Sequence, residues 1–290
     1  MRFDEAYSGK VFIMSRPTVE ESDAVIYGMP MDWTVSFRPG SRFGPNRIRE
    51  ASLGLEEYSP YLDKHMEEVS YFDAGDMPLP FGNPARSIEE IYAYVKKILA
   101  LKKFPLGLGG EHLVSWPIIQ AMYEEYPDLK VIHIDAHADL REEYEGEVLS
   151  HSTPIRKACE LMGPENIYSF GIRSGMREEF DYAKTSGMHM SRYEVAEPLE
   201  KLLPTLAGEN VYVTIDIDVL DPAFAPGTGT AEAGGISSKE LLRAIHLIAA
   251  SNVKVVGADL VEVAPNYDPT EQTAIAASKF VREMLLGWVK

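Results

Sequence analysis

"VIHIDAHADL", residues 131–140, begins as a strand and ends as a row of ionisable groups. Val131, Ile132 and Ile134 form the apolar run of a buried strand, and Asp135, His137 and Asp139 follow at every second position. Asp135 closes the strand, and the chain then turns outward through Ala136. In an open parallel sheet, ligands bind outside the carboxyl ends of the strands, because the loops diverge there and leave a crevice. The stretch thus says which fold to expect and where in it to look for chemistry.

Other short apolar runs share this pattern. They are 24–28, 68–73, 104–110, 130–135, 167–171, 187–191, 211–219 and 253–261, and amphipathic segments lie between them. Strand-then-helix alternation predicts an α/β fold with a parallel sheet covered on both faces. "SIEEIYAYVKKILALKK" (87–103) reads as a helix opened by a Ser87 cap with Glu90 at the capping-box position. "SSKELLRAIHLIAASN" (237–252) reads as another, with Ser238 ahead of an apolar face that includes Leu241, Leu242, Ile245 and Ile248. No repeat or Pro/Ser-rich linker divides the chain, so one domain is expected over 1–290.

Composition narrows the partners. The chain's 28 Lys and Arg against 45 Asp and Glu give a net charge of −17, which repels phosphate backbones and draws cations into acidic clefts. Nucleic acid is excluded as an expected partner. Apolar runs fall far short of the ~20 residues of a membrane span, and the stretch 1–10 lacks the apolar core of a secretory signal. The lone Cys159 excludes an intrachain disulfide. A soluble, cytoplasmic protein is expected.

Two further strand ends carry acid and imidazole. In "VYVTIDIDVLDP" (211–222) the alternation places Asp216 and Asp218 on one face of a strand whose other face is aliphatic. Two buried like charges this close cost several kcal/mol per ion unless a cation neutralises them, on the order of the usual desolvation penalty. In "LGLGGEHLVSWPI" (106–118) a glycine turn lets the backbone approach a site closely and delivers His112. His133 reads as a hydrogen-bonded core residue, and Asp221 as a turn residue before Pro222. His112, Asp135, His137, Asp139, Asp216 and Asp218 then supply four carboxylates and two imidazoles, a formal charge that matches two divalent ions. Oxygen-rich ligation without thiolate favours Mn²⁺ or Mg²⁺ over structural Zn²⁺. A water bridging such a pair loses a proton near neutral pH and becomes a nucleophile.

At "LGGEH", "DAHAD" and "TIDIDVLDPAFAPG" the chain resembles the ureohydrolases, the arginase and agmatinase family. The runs "GMPMDWTVSFRPGSRFGP", "SFGIRSG", "PGTGTAEAGG" and "GADLVEVAP" point to its bacterial agmatinase branch. The resemblance implies a three-layer α/β/α sandwich around a mostly parallel eight-stranded sheet, assembled as trimers or hexamers. It implies two Mn²⁺ per subunit, one on His112 and Asp139, the other on His137 and Asp218, with Asp135 and Asp216 bridging. It also implies hydrolysis of a guanidinium to urea and an amine by a metal-bridging hydroxide, with His151 passing the proton to the leaving amine. Glu262 is implied to orient the guanidinium, and Asp259 is expected to support the ligands from behind. Ala138 stands where relatives often have Thr, and Ala231 and Ala233 where they have Pro.

The far end of the pocket selects the substrate. The loop "DLREEYEGEVLSH" (139–151) carries Glu142, Glu143, Glu145 and Glu147, which suit the second cation of agmatine. Agmatine hydrolysis to putrescine and urea is therefore expected, with a carboxylate-bearing substrate, as in a guanidinobutyrase or arginase, as the alternative. Arg141 would serve that alternative if it points inward, but it reads rather as a surface arginine paired to a nearby Glu; Arg38 and Arg42 from the 36–45 loop could do the same, although structural roles are expected of them.

Overall fold

A computed structural model describes residues 10–290. Residues 1–9, most of the stretch read above for a signal, lie outside the described residues. In chain order the elements are β1 (Ala24–Met29), α1 (Gly44–Ser52), β2 (Tyr58–Ser59), β3 (Lys64–His65), β4 (Tyr71–Asp76), α2 (Pro84–Ala100), β5 (Phe104–Gly109), α3 (Ser115–Glu125) and β6 (Lys130–Ile134). There follow α4 (Pro154–Met162), β7 (Ile167–Ile172), α5 (Arg177–Ser186), β8 (His189–Arg192), α6 (Ala196–Leu202), β9 (Asn210–Asp216), α7 (Ser238–Ala250), β10 (Lys254–Val261) and α8 (Gln272–Trp288).

Eight strands form one sheet in the order β4-β1-β5-β10-β9-β6-β7-β8, and every pairing in it is parallel. β2 and β3 make a separate small hairpin. Side-chain alternation gives the sheet two apolar faces. Ile132, Ile134, Val211, Val213 and Ile215 pack with α7 and α8 on one side, while Val131, Tyr212 and Val261 pack with α2, α3 and α4 on the other. This is the expected three-layer α/β/α arrangement. Among the described residues no helix is long and apolar enough to cross a membrane.

The expected strands are present, with local differences. The strand expected at 68–73 runs at Tyr71–Asp76, because His65 caps a 3-10 turn over Met66–Glu68 and delays extension. The helix expected at 87–103 starts at Pro84 instead. Asn83 Oδ1 caps it by accepting from Arg86 N at 3.1 Å, and Ser87 is buried inside the first turns. The helix at Ser238 is capped by Ser237, whose Oγ accepts from Glu240 N at 3.2 Å.

A further difference falls at the site. β9 ends at Asp216, and Ile217–Val219 form a 3-10 turn, so Asp218 is not on the strand face where alternation placed it. The Asp216 side chain causes this, since Oδ1 accepts from Asp218 N at 2.8 Å and bends the backbone out of extension.

Candidate functional site

The strands β5, β10, β9 and β6 are neighbours at the centre of the sheet, and each ends in a residue singled out from the sequence. β5 leads to His112, β6 to Asp135, β9 to Asp216 and β10 to Glu262. Gly110 lets the first of these loops in: a Cβ there would lie 1.9 Å from Met31 O, and Met31 O accepts from Glu111 N at 2.7 Å. Asp139 and Glu262 both sit at left-handed φ, 52° and 64°, a conformation that costs energy for non-glycine residues and clusters at functional sites.

The six expected ligands converge. His112 Nδ1 lies 3.0 Å from Asp135 Oδ2, 3.3 Å from Asp139 Oδ2 and 3.4 Å from Asp216 Oδ2. His137 Nδ1 lies 2.9 Å from Asp218 Oδ2 and 3.6 Å from Asp135 Oδ1. Asp135 thus offers one oxygen to each imidazole. Among the described residues two groups of side chains could hold a metal ion, His112 with His133 and Asp135, and Asp135 with His137 and Asp218; Asp135 is common to both.

His112 tests whether a cation fits. Its Nδ1 is buried and has no hydrogen-bond partner, so none of the three carboxylate approaches is aligned as a hydrogen bond. Its Nε2 lies 3.0 Å from Thr214 Oγ1, which itself donates to Asp259 Oδ1 at 2.6 Å. The hydroxyl has one proton and gives it to the carboxylate, so its oxygen accepts Nε2–H of His112. Nδ1 is then the nitrogen that faces the carboxylate oxygens; burial lowers the pKa of the ring, but Asp135, Asp139 and Asp216 outweigh it and raise that pKa well above the ordinary value, so a proton or a metal ion fits between them.

The electrostatics agree. Burial, then Asp218 and Asp135, push the Asp216 carboxyl well above the ordinary carboxylate range. Burial opposes ionisation of Asp135 too, but the imidazoles of His112, His133 and His137 outweigh it and hold its pKa well down. Added positive charge stabilises such a cluster.

Sequence reasoning set His133 aside, and the structure gives it a part. It is fully buried in β6, as expected, but its Nε2 lies 2.9 Å from Asp135 Oδ2 and its Nδ1 2.9 Å from Ser169 Oγ. The signal was its spacing: His133 and Asp135 are two apart in an extended stretch and so share a face. Asp259 lies behind the site as expected, holding Thr214 and, through its other oxygen, the Tyr212 hydroxyl. Burial raises its pKa.

His151 and Glu262 border the same cavity, of about 340 Å³, whose floor includes His112, His137, Asp139 and Asp216. His151 Nδ1 lies 2.8 Å from the carbonyl oxygen of Thr34, which can only accept, so Nδ1 carries the proton and Nε2, with Ser36 Oγ at 3.5 Å, is the nitrogen that can take another. Burial pushes its pKa down. Glu262 Oε1 accepts from His112 N at 2.8 Å. Burial, then neighbouring Glu111, push its carboxyl well up, and burial raises Glu111 itself to about 8.

The acidic loop is corrected. Glu142, Glu143, Glu145 and Glu147 are exposed and none lines the cavity, whereas Arg141 and Tyr144 of the same loop do. The backbone explains it: Arg141 N bonds to Ser152 O and a tight Tyr144–Glu147 turn tips the glutamates into solvent. Arg38 and Arg42 are structural, bound to the carbonyls of Thr228 and Gly229 and to Asp32 respectively. Ala138 is buried on the cavity wall, its N–H bonded to Ser174 O at 3.1 Å.

Known proteins share the fold. The family model described as the arginase family matches residues 22–287. An agmatinase of Halalkalibacterium halodurans is 80% identical over 289 residues, with 100% of each chain covered. The solved agmatine ureohydrolase of Thermoplasma volcanium superposes with a TM-score of 0.86 at 29% identity, covering 97% of this chain and 94% of that one. The solved arginase of Bacillus subtilis superposes at 0.79 and 30% identity, covering 91% and 98%. The fold, the cluster at its strand ends and these likenesses place the chain in the arginase family.

Proposed function

We propose that the chain is an amidinohydrolase that cleaves agmatine to putrescine and urea in the cytoplasm, as a step of polyamine biosynthesis, with two Mn²⁺ per subunit. The observation that carries this reading is the convergence of two imidazoles and four carboxylates around the orphaned Nδ1 of His112 on the floor of a cavity. The agmatinase names of full-length relatives, 72% identical in the case of Bacillus subtilis, support the choice of substrate. The whole chain acts as one catalytic domain, and trimers or hexamers are its assembled form.

His112 and Asp139 would hold one ion, His137 and Asp218 the other, and Asp135 and Asp216 both. When bound, the metals supply Lewis acidity and lower the pKa of water enough for it to attack carbon near neutral pH. Glu262, fixed by its bond from His112 N, faces the cavity as an acceptor for the planar guanidinium and sets its orientation. Breaking the bond from the guanidinium carbon to the chain nitrogen requires a proton on that nitrogen. His151 is placed to carry it, with Nδ1–H anchored on Thr34 and Nε2 open to exchange.

Arg141 on the cavity wall favours one other reading, a substrate with a carboxylate tail. Urea release from agmatine, guanidinobutyrate and arginine, with added Mn²⁺ and with chelator, tests both. Agmatine is expected to be the preferred substrate and chelation to silence it; preference for either acid would favour the second reading.

A further inference from the structure

Thr34 has all three of its polar groups engaged. Its carbonyl oxygen accepts Nδ1–H of His151 at 2.8 Å, its Oγ1 accepts from His151 N at 2.9 Å, and its own N–H donates to Glu111 Oε2 at 2.8 Å. Ser36, two residues further along the same loop, brings its Oγ to 3.5 Å from Nε2 of that imidazole. Glu111 is fully buried, immediately before His112, and its N–H is held by Met31 O at 2.7 Å. Its second oxygen, Oε1, is buried and has no hydrogen-bond partner among the described residues. Burying a carboxyl group with one oxygen unsatisfied costs stability, so packing alone does not account for a Glu at this position.

The loop around Thr34 is pinned at other points. Asp32 Oδ2 accepts from Gly40 N at 2.8 Å, Trp33 Nε1 donates to Ser87 Oγ at 3.2 Å, and Arg38 binds the carbonyls of Thr228 and Gly229. Losing the Glu111 acceptor therefore frees the Thr34 peptide and leaves the loop in place. Building on the amidinohydrolase reading above, we propose that Glu111 is a positioning residue for His151: through Thr34 it holds the imidazole with Nδ1 as the protonated nitrogen and Nε2 toward the cavity, and one peptide bond ties that placement to the metal ligand His112.

The test is a double-mutant cycle in kcat for agmatine on the Mn²⁺-loaded protein, pairing Glu111→Leu with His151→Asn. Glu111→Leu removes the acceptor at similar size and is expected to lower kcat about tenfold or more, with metal content unchanged. In the His151→Asn background the same change should cost little, because the group it positions is gone; a merely structural loss would cost the same in both. Glu111→Gln, which keeps an oxygen for Thr34 N–H, should retain most of the turnover. Nitrogen NMR of isotope-labelled histidine in chelator-stripped protein reads the tautomer directly. The Nδ1–H form of His151, recognised by its loss in His151→Asn, should dominate in wild type and Glu111→Gln and give way to a mixture in Glu111→Leu. Thr34→Val, which removes only the hydroxyl, should show the same dependence on His151, so it speaks even if Glu111→Leu fails to fold. Additive losses in either cycle, a kcat loss that merely follows lost metal, or an unchanged His151 tautomer in folded Glu111→Leu overturns the assignment. Absence of urea from agmatine in the wild type overturns the function it rests on, and is read before any variant.

Discussion

Thr214 Oγ1 stands 3.0 Å from Nε2 of His112. Because Asp259 takes the hydroxyl proton of Thr214, this contact fixes which nitrogen of His112 is left to face the carboxylates. Replacing Asp259 with Asn lets the hydroxyl turn and frees the imidazole to change tautomer. Metal affinity is expected to fall about 10–100-fold while circular dichroism stays native. Affinity equal to wild type would mean that the relay does not orient the ligand.

His133 gives a second, separable test. It touches Asp135 and Ser169, so it acts on a ligand rather than as one. His133→Phe is expected to weaken metal binding by about tenfold or more and to keep the wild-type number of ions per chain. Metal analysis showing one ion fewer would make His133 itself a ligand.

His151 is expected to matter for the proton and not for the metal. His151→Asn should reduce kcat by about 10²-fold or more, the usual contribution of a positioned acid or base, with metal content unchanged. A variant with wild-type kcat would remove His151 from the reaction.

Stability has its own lever, far from the site. The buried carboxylate of Glu283 accepts from Ser59 Oγ at 2.7 Å, pairs with Arg282 and meets His246 Nε2 at 2.8 Å. Burial opposes its ionisation, but these partners outweigh burial and hold its pKa below the ordinary value of 4.5. Folded-state depression means that the stabilisation is complete above pH 4.5 and is lost as pH falls through the folded-state value. Glu283→Gln is expected to cost about 3 kcal/mol near neutrality, as for breaking one side of a buried pair. Denaturant unfolding should show the gap from wild type narrowing in acid; a gap independent of pH would contradict it.

Gly110→Ala places a Cβ 1.9 Å from Met31 O, and backbone on both sides must yield. A loss of about 2 kcal/mol is expected, with weaker metal binding through the displaced His112. Unaltered unfolding would show that the loop has room to move.

Much of this was legible in the sequence because buried parallel strands write themselves as apolar runs, and ligand-bearing strand ends interrupt those runs with acid and imidazole. The strand at Lys130–Ile134 and the gathering of His112, Asp135 and Asp216 follow from that rule. What was hidden depends on side chains acting on the backbone. Asp216 capping its own turn moved Asp218 off the strand, and Asn83 capped a helix ahead of the serine expected to do so. The acidic loop misled because charge in a sequence carries no direction: four glutamates point to solvent, and of the two that line the cavity Glu262 follows β10 and Glu179 comes from α5, far along the chain.

If the six side chains form a metal centre for guanidine hydrolysis, turnover must follow metal loading. Urea formation from agmatine, followed as Mn²⁺ is titrated into chelator-stripped protein, tests it most directly. No urea is expected without metal, and the rise should saturate at two equivalents per chain. Full activity in the stripped protein, or no urea at any ratio of Mn²⁺, would contradict it.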